Sequence, residues 1–313
     1  MMTKKTEEKI FKVLMILSTS IIICCLLLIM GTVLIKGLPT LSIEMLTEVP
    51  QGGYYFGKGG GILNAIVGSL YLSLGATFLA FLIALPVSLY MNVYLINKNK
   101  LLNLIRYLLD LLWGVPSIVY GAFGFIIMVY FGLRTSLLAG IITVALFIIP
   151  IMIRAMDEVF KTVPRGLIEA AFSLGSTKSE TAFKVFFKQV VPSVVTAVLL
   201  SFGRAIGDAA SILFTAGYTD SIPTSLLEPT ATLPLAVFFQ LSSPIPEVQN
   251  RAYASALVLI LIILIISVLA RIIANKNNIK TVVNKRFIYY KNIRNNYNLS
   301  YKKRAKTKNK LKY

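Results

Sequence analysis

The chain has 313 residues, of which 56% are hydrophobic and only 14% are charged. An ordinary soluble domain carries about 25% charged residues, so this composition excludes one. The formal net charge is nevertheless +19, and the sequence contains no histidine. The missing histidine removes the working group of serine-hydrolase triads, His-ligated zinc sites and His acid–base catalysis.

Six apolar runs predict membrane-spanning helices, because a helix needs about 20 apolar residues to cross a bilayer. The runs are 13–35, 64–94, 109–131, 137–153, 190–215 and 252–273. The first run is too long for the core of a signal peptide and no A-x-A cleavage site follows it, so we expect a retained helix.

The positive charges predict the orientation, since cytoplasmic segments of membrane proteins carry the excess of Lys and Arg. The N-terminus, the second and fourth loops and the C-terminal tail hold 27 of the 32 Lys and Arg residues. We therefore expect both termini in the cytoplasm.

The basic tail, residues 276–313, has 13 Lys and Arg residues and no acidic residue. Such a run is typical of a solvated, disordered segment that follows the positive-inside rule or lies on anionic membrane lipid. Nucleic-acid binding is the less favoured alternative, because no recognition fold accompanies the tail.

The fourth loop, residues 154–189, is the largest predicted cytoplasmic loop between spans. Pro164 suits the first turn of a helix, good helix formers follow it, and Gly175 suits the position just after the helix end. Ser176 or Thr177 can cap a second short helix through Lys188. The loop is predicted to be a helical hairpin, and a merely solvated hairpin is the alternative.

A family resemblance enters at this hairpin. Glu169, Ala170 and Ala171, followed by Gly175, resemble the EAA loop of ATP-binding-cassette (ABC) importer permeases, which docks into a groove on the ATPase subunit. Other stretches are similar to the PstA family, the permease subunits of phosphate ABC importers. These stretches are 59–62, 65–71, 114–121 and 203–210.

The resemblance implies an all-α, polytopic membrane protein with six transmembrane helices in the ABC importer type-1 transmembrane fold. It divides the chain into an N-terminal segment with the first helix and an external loop (1–58), a permease core (59–275) containing the coupling loop 154–189, and the tail. The implied activity is translocation of inorganic phosphate across the cell membrane into the cytoplasm by a non-catalytic subunit.

The resemblance also implies partners. They are a second, related permease (PstC-like), two ATPase subunits (PstB-like) and an external phosphate-binding protein (PstS-like). ATP and magnesium would be held by the ATPase subunits, and this chain would bind no cofactor, no metal and no nucleic acid.

Arg204 is the one basic residue inside a predicted span, where a charge costs about 2.5–3.5 kcal/mol and needs an internal partner or a wet cavity. Asp208 is four residues on and can pair with it on the same helix face. A structural ion pair, aided by Gly203 and Gly207 at small-residue spacing, is the alternative to a functional site. The resemblance implies that Arg204 serves transport and that Asp208 holds the Arg204 side chain.

The resemblance also implies that Arg154 is a second arginine that serves transport. Snorkelling of its side chain at a helix end is the alternative.

The third span contains Gly114, Pro116 and Ser117, which predict an interruption because proline lacks a backbone N–H group. Broken helices are tolerated at membrane depth where they line a cavity, so a pathway-lining role and a packing kink are both open. The last outside loop, 217–251, has an apolar patch at 233–239, and we interpret the loop as a partly buried platform that a substrate-binding protein could touch.

Two other functions remain open from the sequence. Sulfate or molybdate would suit an arginine site as well as phosphate, and an ion-coupled anion transporter would work without an ATPase. The second is less favoured because only one intramembrane acidic residue and no inverted repeat are visible. An integral-membrane enzyme is disfavoured by the lack of histidine and of clustered carboxylates.

Overall fold

The computed structural model describes residues 4–51, 59–95 and 99–274. In these ranges the chain is helical, and extended pairing is limited to one isolated bridge between Pro50 and Gly60. The all-α prediction is therefore confirmed. The predicted basic tail and the glycine-rich residues 52–58 lie outside the described residues.

The described residues form ten helices, and the longest connection between two of them runs from residue 208 to residue 232. In chain order they are α1 (Lys4–Gly37), α2 (Ile43–Thr47), α3 (Leu63–Leu89), α4 (Asn99–Gly114), α5 (Ser117–Tyr130), α6 (Leu137–Lys161), α7 (Arg165–Ser173), α8 (Lys178–Gly207), α9 (Leu233–Leu241) and α10 (Pro246–Ala274). A π-helical turn, Tyr90–Tyr94, extends α3, and another, Thr181–Phe187, lies within α8.

Five helices of the described chain, α1, α3, α6, α8 and α10, are long and apolar enough to cross a membrane. The third predicted span is instead a pair of shorter helices, α4 and α5, bent by 90° at the break between Gly114 and Ser117. Pro116 precedes α5 with an extended backbone (φ −57°, ψ 138°), which explains why the helix cannot continue. The six predicted crossings are recovered only if this bent pair counts as one broken span.

Three predicted helix ends are wrong. The fourth predicted span, 137–153, continues as α6 to Lys161, because polar residues prolong the helix beyond its apolar part. The fifth, 190–215, ends at Gly207, and turns occupy residues 210–216. The second hairpin helix does not stop at Lys188 either, since it is the first part of α8.

The core is formed where α3 packs against α6. The buried face of α3 consists mainly of small side chains. They are Ala65, Gly68, Ser69, Ser73, Ala76, Ala80, Ala84 and Ser88. Small residues let two helix backbones approach closely, which is how helices associate in lipid. At Gly140 on α6, an added methyl group would meet Leu72 of α3 at 2.8 Å.

The loop between α8 and α10 folds back onto α3. Leu233 and Leu235 of α9 are fully buried, and the Leu233 N–H donates to Ser69 Oγ at 2.7 Å. The first half of the predicted platform is thus part of the core, whereas Phe238 in its second half is half-exposed.

Gly68 provides a test of this packing. A methyl group there would overlap the backbone oxygen of Ala231 and meet Thr230 Oγ1 at 2.5 Å, whereas no atom of the described residues lies within 4 Å of one at Gly31 on α1. Alanine is intrinsically better than glycine in a helix by about 0.5–1 kcal/mol. We therefore expect Gly31→Ala to be neutral or stabilising, and Gly68→Ala to destabilise by about 1–3 kcal/mol through overpacking. Thermal unfolding of the purified protein in detergent measures both, and equal shifts would contradict the packing described.

Candidate functional site

The break between α4 and α5 forms an elbow whose two sides are joined by a hydrogen bond. The Tyr120 hydroxyl on α5 donates to the backbone oxygen of Leu112 on α4 at 2.9 Å. Predicted site residues Gly114, Pro116 and Ser117 all lie at this elbow. The predicted helix interruption is confirmed, while a pathway-lining role for these residues stays a prediction.

Asp208 fixes the elbow to the end of α8. The helix stops at Gly207, and Asp208 adopts an extended backbone conformation (φ −86°, ψ 122°). Its carboxylate accepts hydrogen bonds from the Ser117 hydroxyl at 2.8 Å and from the Ser211 backbone N–H at 2.9 Å. The expected pairing of Asp208 with Arg204 is therefore wrong, because the helix that would have put both on one face has already ended.

Arg204 lies in the last turn of α8 and is exposed. Its guanidinium carbon is 5.1 Å from the centre of the Phe147 ring, which is a cation–π contact. Phe147 is buried in α6, and the Tyr120 ring packs against it edge-on at 5.7 Å. Arg204 forms no ion pair with any residue in the described ranges. Its positive charge is consequently held in place without being neutralised.

The turn after α8 approaches α5 closely at Gly121. A methyl group at this position would lie 2.8 Å and 2.9 Å from the backbone oxygens of Ser211 and Ala210. Only glycine permits this approach without displacement of the backbone. The elbow, the end of α8 and the middle of α6 thus form one unit. We call it the elbow site, defined by Ser117, Tyr120, Phe147, Arg204 and Asp208.

Arg154 is placed elsewhere, seven residues or about 10 Å along α6 from Phe147. Its guanidinium contacts the carboxylates of Asp110 at 2.6 Å, Asp157 at 3.0 Å and Glu158 at 3.5 Å. Arg154 therefore contacts carboxylates, whereas Arg204 contacts an aromatic ring. Whether Arg154 takes part in transport stays a prediction.

Asp157 is the centre of this group of charges, and the sequence interpretation missed it. The side chain is fully buried. Arg106 on α4 donates to its two oxygens through Nε and Nη2, both at 2.9 Å, while Asn92 donates at 2.9 Å and Lys161 contacts it at 3.1 Å. The helical spacing of Arg154, Asp157 and Lys161 was a visible signal for such a group. We call these residues, with Arg106 and Asn92, the Asp157 cluster.

The predicted hairpin is present and its caps are as expected. Helix α7 ends in a Schellman motif, in which Gly175 has φ +81° and the Ser176 N–H donates to the Ala171 oxygen at 3.1 Å. Thr177 and Glu180 form a capping box at the start of α8.

The predicted coupling residues differ in exposure. Glu169, Ala170 and Gly175 are exposed, whereas Ala171 is buried. Large apolar side chains also face outward on the hairpin, and the Leu174 side chain is 86% exposed. An exposed apolar tip of this kind is typical of a surface that packs against another protein.

The described residues contain no group of three or more His, Cys, Asp or Glu side chains that could hold a metal ion. The chemistry that these residues offer at the elbow site is anion binding, because the arrangement presents a guanidinium without a counter-ion.

The chain is similar to known transport proteins. The family model "Binding-protein-dependent transport system inner membrane component" matches residues 84–278. A relative from Yersinia pestis, the "Phosphate transport system permease protein PstA", is 36% identical over 77% of this chain and 81% of its own length. The protein of the same name from Pasteurella multocida is 32% identical over 86% and 95%.

Among solved structures, an inward-facing MetNI methionine ABC transporter is similar in fold. It has a TM-score of 0.57 and 20% sequence identity, and the match covers 68% of this chain and 95% of that one. At this level of identity the likeness concerns the fold alone.

The Asp157 cluster predicts a large effect of a single isosteric change. Asp157→Asn removes the carboxylate that Arg106, Arg154 and Lys161 share and leaves their charges partly buried without it. Breaking a buried ion pair costs about 3–5 kcal/mol, so we expect a comparable loss in the free energy of unfolding. Asp110→Asn is the matched control, because Asp110 is 49% exposed and should cost about 1 kcal/mol or less. Equal losses in denaturant unfolding of the two variants would contradict the role of the cluster.

Proposed function

The chain belongs to the family of binding-protein-dependent transport system inner membrane components, and we propose that it is the permease subunit of an ATP-driven importer of inorganic phosphate. The observation that carries the proposal is the guanidinium of Arg204, which is held at the elbow site without an ion-pair partner among the described residues. The names of the two relatives support phosphate as the transported anion.

At the elbow site, the residues of this chain would bind and orient the anion. The planar guanidinium of Arg204 offers paired N–H donors that match the oxygens of phosphate. Phe147 lies against the guanidinium and restricts its position. The Asp208 carboxylate is occupied by Ser117 and Ser211, so it leaves the Arg204 charge available for the anion.

The hairpin would transmit the mechanical work of ATP hydrolysis to this chain. The hydrolysis itself would take place on partner ATPase subunits. Only residues 162–164 separate α6 from α7, so a force on the hairpin acts directly on the helix that carries Phe147. In the proposed assembly, two PstB-like ATPases press on Glu169–Gly175 hairpins, a PstC-like permease completes the pathway, and a PstS-like protein delivers phosphate. This chain would then be non-catalytic, with ATP and magnesium on the ATPases.

Replacing Arg204 tests the transport site. Arg204→Gln keeps a polar side chain but removes the charge, so we expect at least about a tenfold loss of phosphate uptake with normal assembly. Arg134→Gln, an exposed arginine with no ion pair in the described chain, is the control and should transport normally. Uptake of radiolabelled phosphate into cells or proteoliposomes measures both.

The same assay tests the anion. Excess unlabelled phosphate should compete with the label, while sulfate and molybdate should not. Competition by either oxyanion would contradict the phosphate assignment, and wild-type uptake by Arg204→Gln would contradict the site.

Replacing Gly175 tests the coupling hairpin. Alanine in the left-handed conformation of Gly175 costs about 1–2 kcal/mol and should deform the turn, although no neighbouring atom blocks the added methyl group. We expect Gly175→Ala to retain less ATPase subunit during purification in mild detergent and to lower uptake. Gly166→Ala adds the same methyl group on α7, also into open space, and should be neutral. Identical behaviour of the two variants would contradict the coupling assignment.

A further inference from the structure

A polar cavity of about 320 Å³ lies at the base of the coupling hairpin, apart from the elbow site. Its volume is at the lower end of the range for small-molecule sites, roughly 300–1,000 Å³. The walls come from the end of α3, from α4, from the junction between α6 and α7, and from the π-helical turn in α8. An occupant would therefore touch the hairpin and three helices of the core at once.

The polar residues that line the cavity have basic or amide side chains. Arg106, Lys161 and Arg165 supply three positive charges from α4, α6 and α7, and Asn92 and Asn103 add two amides. No acidic side chain is among the described residues that line the cavity. The side chain of Arg165 has no ion-pair or hydrogen-bond partner in the described chain, so all of its donors are free.

Three neighbouring carboxylates, Asp110, Asp157 and Glu158, balance Arg106, Arg154 and Lys161 but leave the charge of Arg165. Asp157 contacts Arg106 and Lys161, but it is shared with Arg154 as well. Glu158 divides its contacts between Arg154 and Lys161, and neither carboxylate contacts Arg165. The side of the cavity formed by α7 therefore carries a positive charge that the chain itself leaves unbalanced.

The surroundings place the cavity beside a helix suited to a membrane surface. Helix α4 is bent by 90° from α5, and its outer face is apolar. The exposed residues of this face are Leu101, Leu104, Tyr107, Leu108, Leu111 and Leu112. An amphipathic helix of this kind lies along the interface, at the depth of lipid headgroups.

We propose that this cavity binds a phosphate group, carried either by inorganic phosphate or by the headgroup of an anionic lipid. Arg165 and Arg106 would bind its oxygens through charge-assisted hydrogen bonds, and Lys161 would act as a point charge. By bridging α4, α6 and α7, the bound group would hold the hairpin against the core. The site is distinct from the elbow site, since Arg204 does not line it.

Arg165→Gln is the variant of choice, because Arg106 and Lys161 also hold Asp157 and their loss would disturb the fold. Lys188→Gln is the matched control, an exposed basic residue near the hairpin that does not line the cavity. Both variants are made in the complete transporter that also carries Arg204→Gln. Binding at the elbow site then does not contribute, and the result is independent of the transport proposal.

Two measurements distinguish the sources of the phosphate group. In nanodiscs of phosphatidylcholine with phosphatidylglycerol, native mass spectrometry measures how much phosphatidylglycerol the complex retains. In nanodiscs of phosphatidylcholine alone, equilibrium dialysis with radiolabelled inorganic phosphate measures free phosphate binding.

We expect Arg165→Gln to weaken binding about tenfold in one of the two measurements, and that measurement identifies the source of the phosphate group. Lys188→Gln should leave binding unchanged. Arg165→Lys should bind more tightly than Arg165→Gln but less tightly than the wild type. A loss confined to the lipid measurement assigns a headgroup site, and a loss confined to dialysis assigns an inorganic phosphate site. If Arg165→Gln equals Lys188→Gln in both, the proposal is overturned.

Discussion

The close packing of α3 against α6 is the contact on which the other features depend. Helices in lipid gain little from burying apolar surface against each other, so their association relies on small side chains that allow close approach. The buried face of α3 has this composition, and Gly140 provides the same closeness on α6. Because α6 is fixed in this way, the residues that it carries, from Phe147 to Lys161, are held in defined positions.

Helix α6 connects the elbow site with the coupling hairpin. Phe147 lies behind the Arg204 guanidinium, and Asp157 follows ten residues later, about 15 Å along the helix. Asp157 in turn binds Arg106 on α4, the helix that forms one side of the elbow. The elbow thus contacts α6 both near Phe147 and at Asp157, and α7 begins directly after the same helix. A displacement of the hairpin therefore acts on the helix that carries both contacts.

The sequence allowed the spans of α1, α3 and α10 and the caps of the hairpin to be predicted, because hydropathy and capping depend on local residues. It did not allow the end of α8 or the partner of Asp208 to be predicted. Apolar residues continue past Gly207, so hydropathy cannot register that the chain turns there. The Ser117 contact joins residues 91 positions apart, and no local pattern encodes such a pairing. Asp157 was missed because an acidic residue next to Glu158 and between basic residues is expected to be solvated until α4 is seen to cover it.

The two arginines singled out in the sequence differ in what surrounds them, and the difference separates their roles. Arg154 is 17% exposed and contacts three carboxylates. An anion at its guanidinium would compete with all three, of which Asp157 is fully buried, whereas Asp110 and Glu158 are exposed and cost less to displace. Arg204 rests on an aromatic ring and has no carboxylate to displace in the described chain, so an oxyanion meets no such competition. This energetic difference favours Arg204 as the anion-binding residue and Arg154 as a residue that holds α6 to α4.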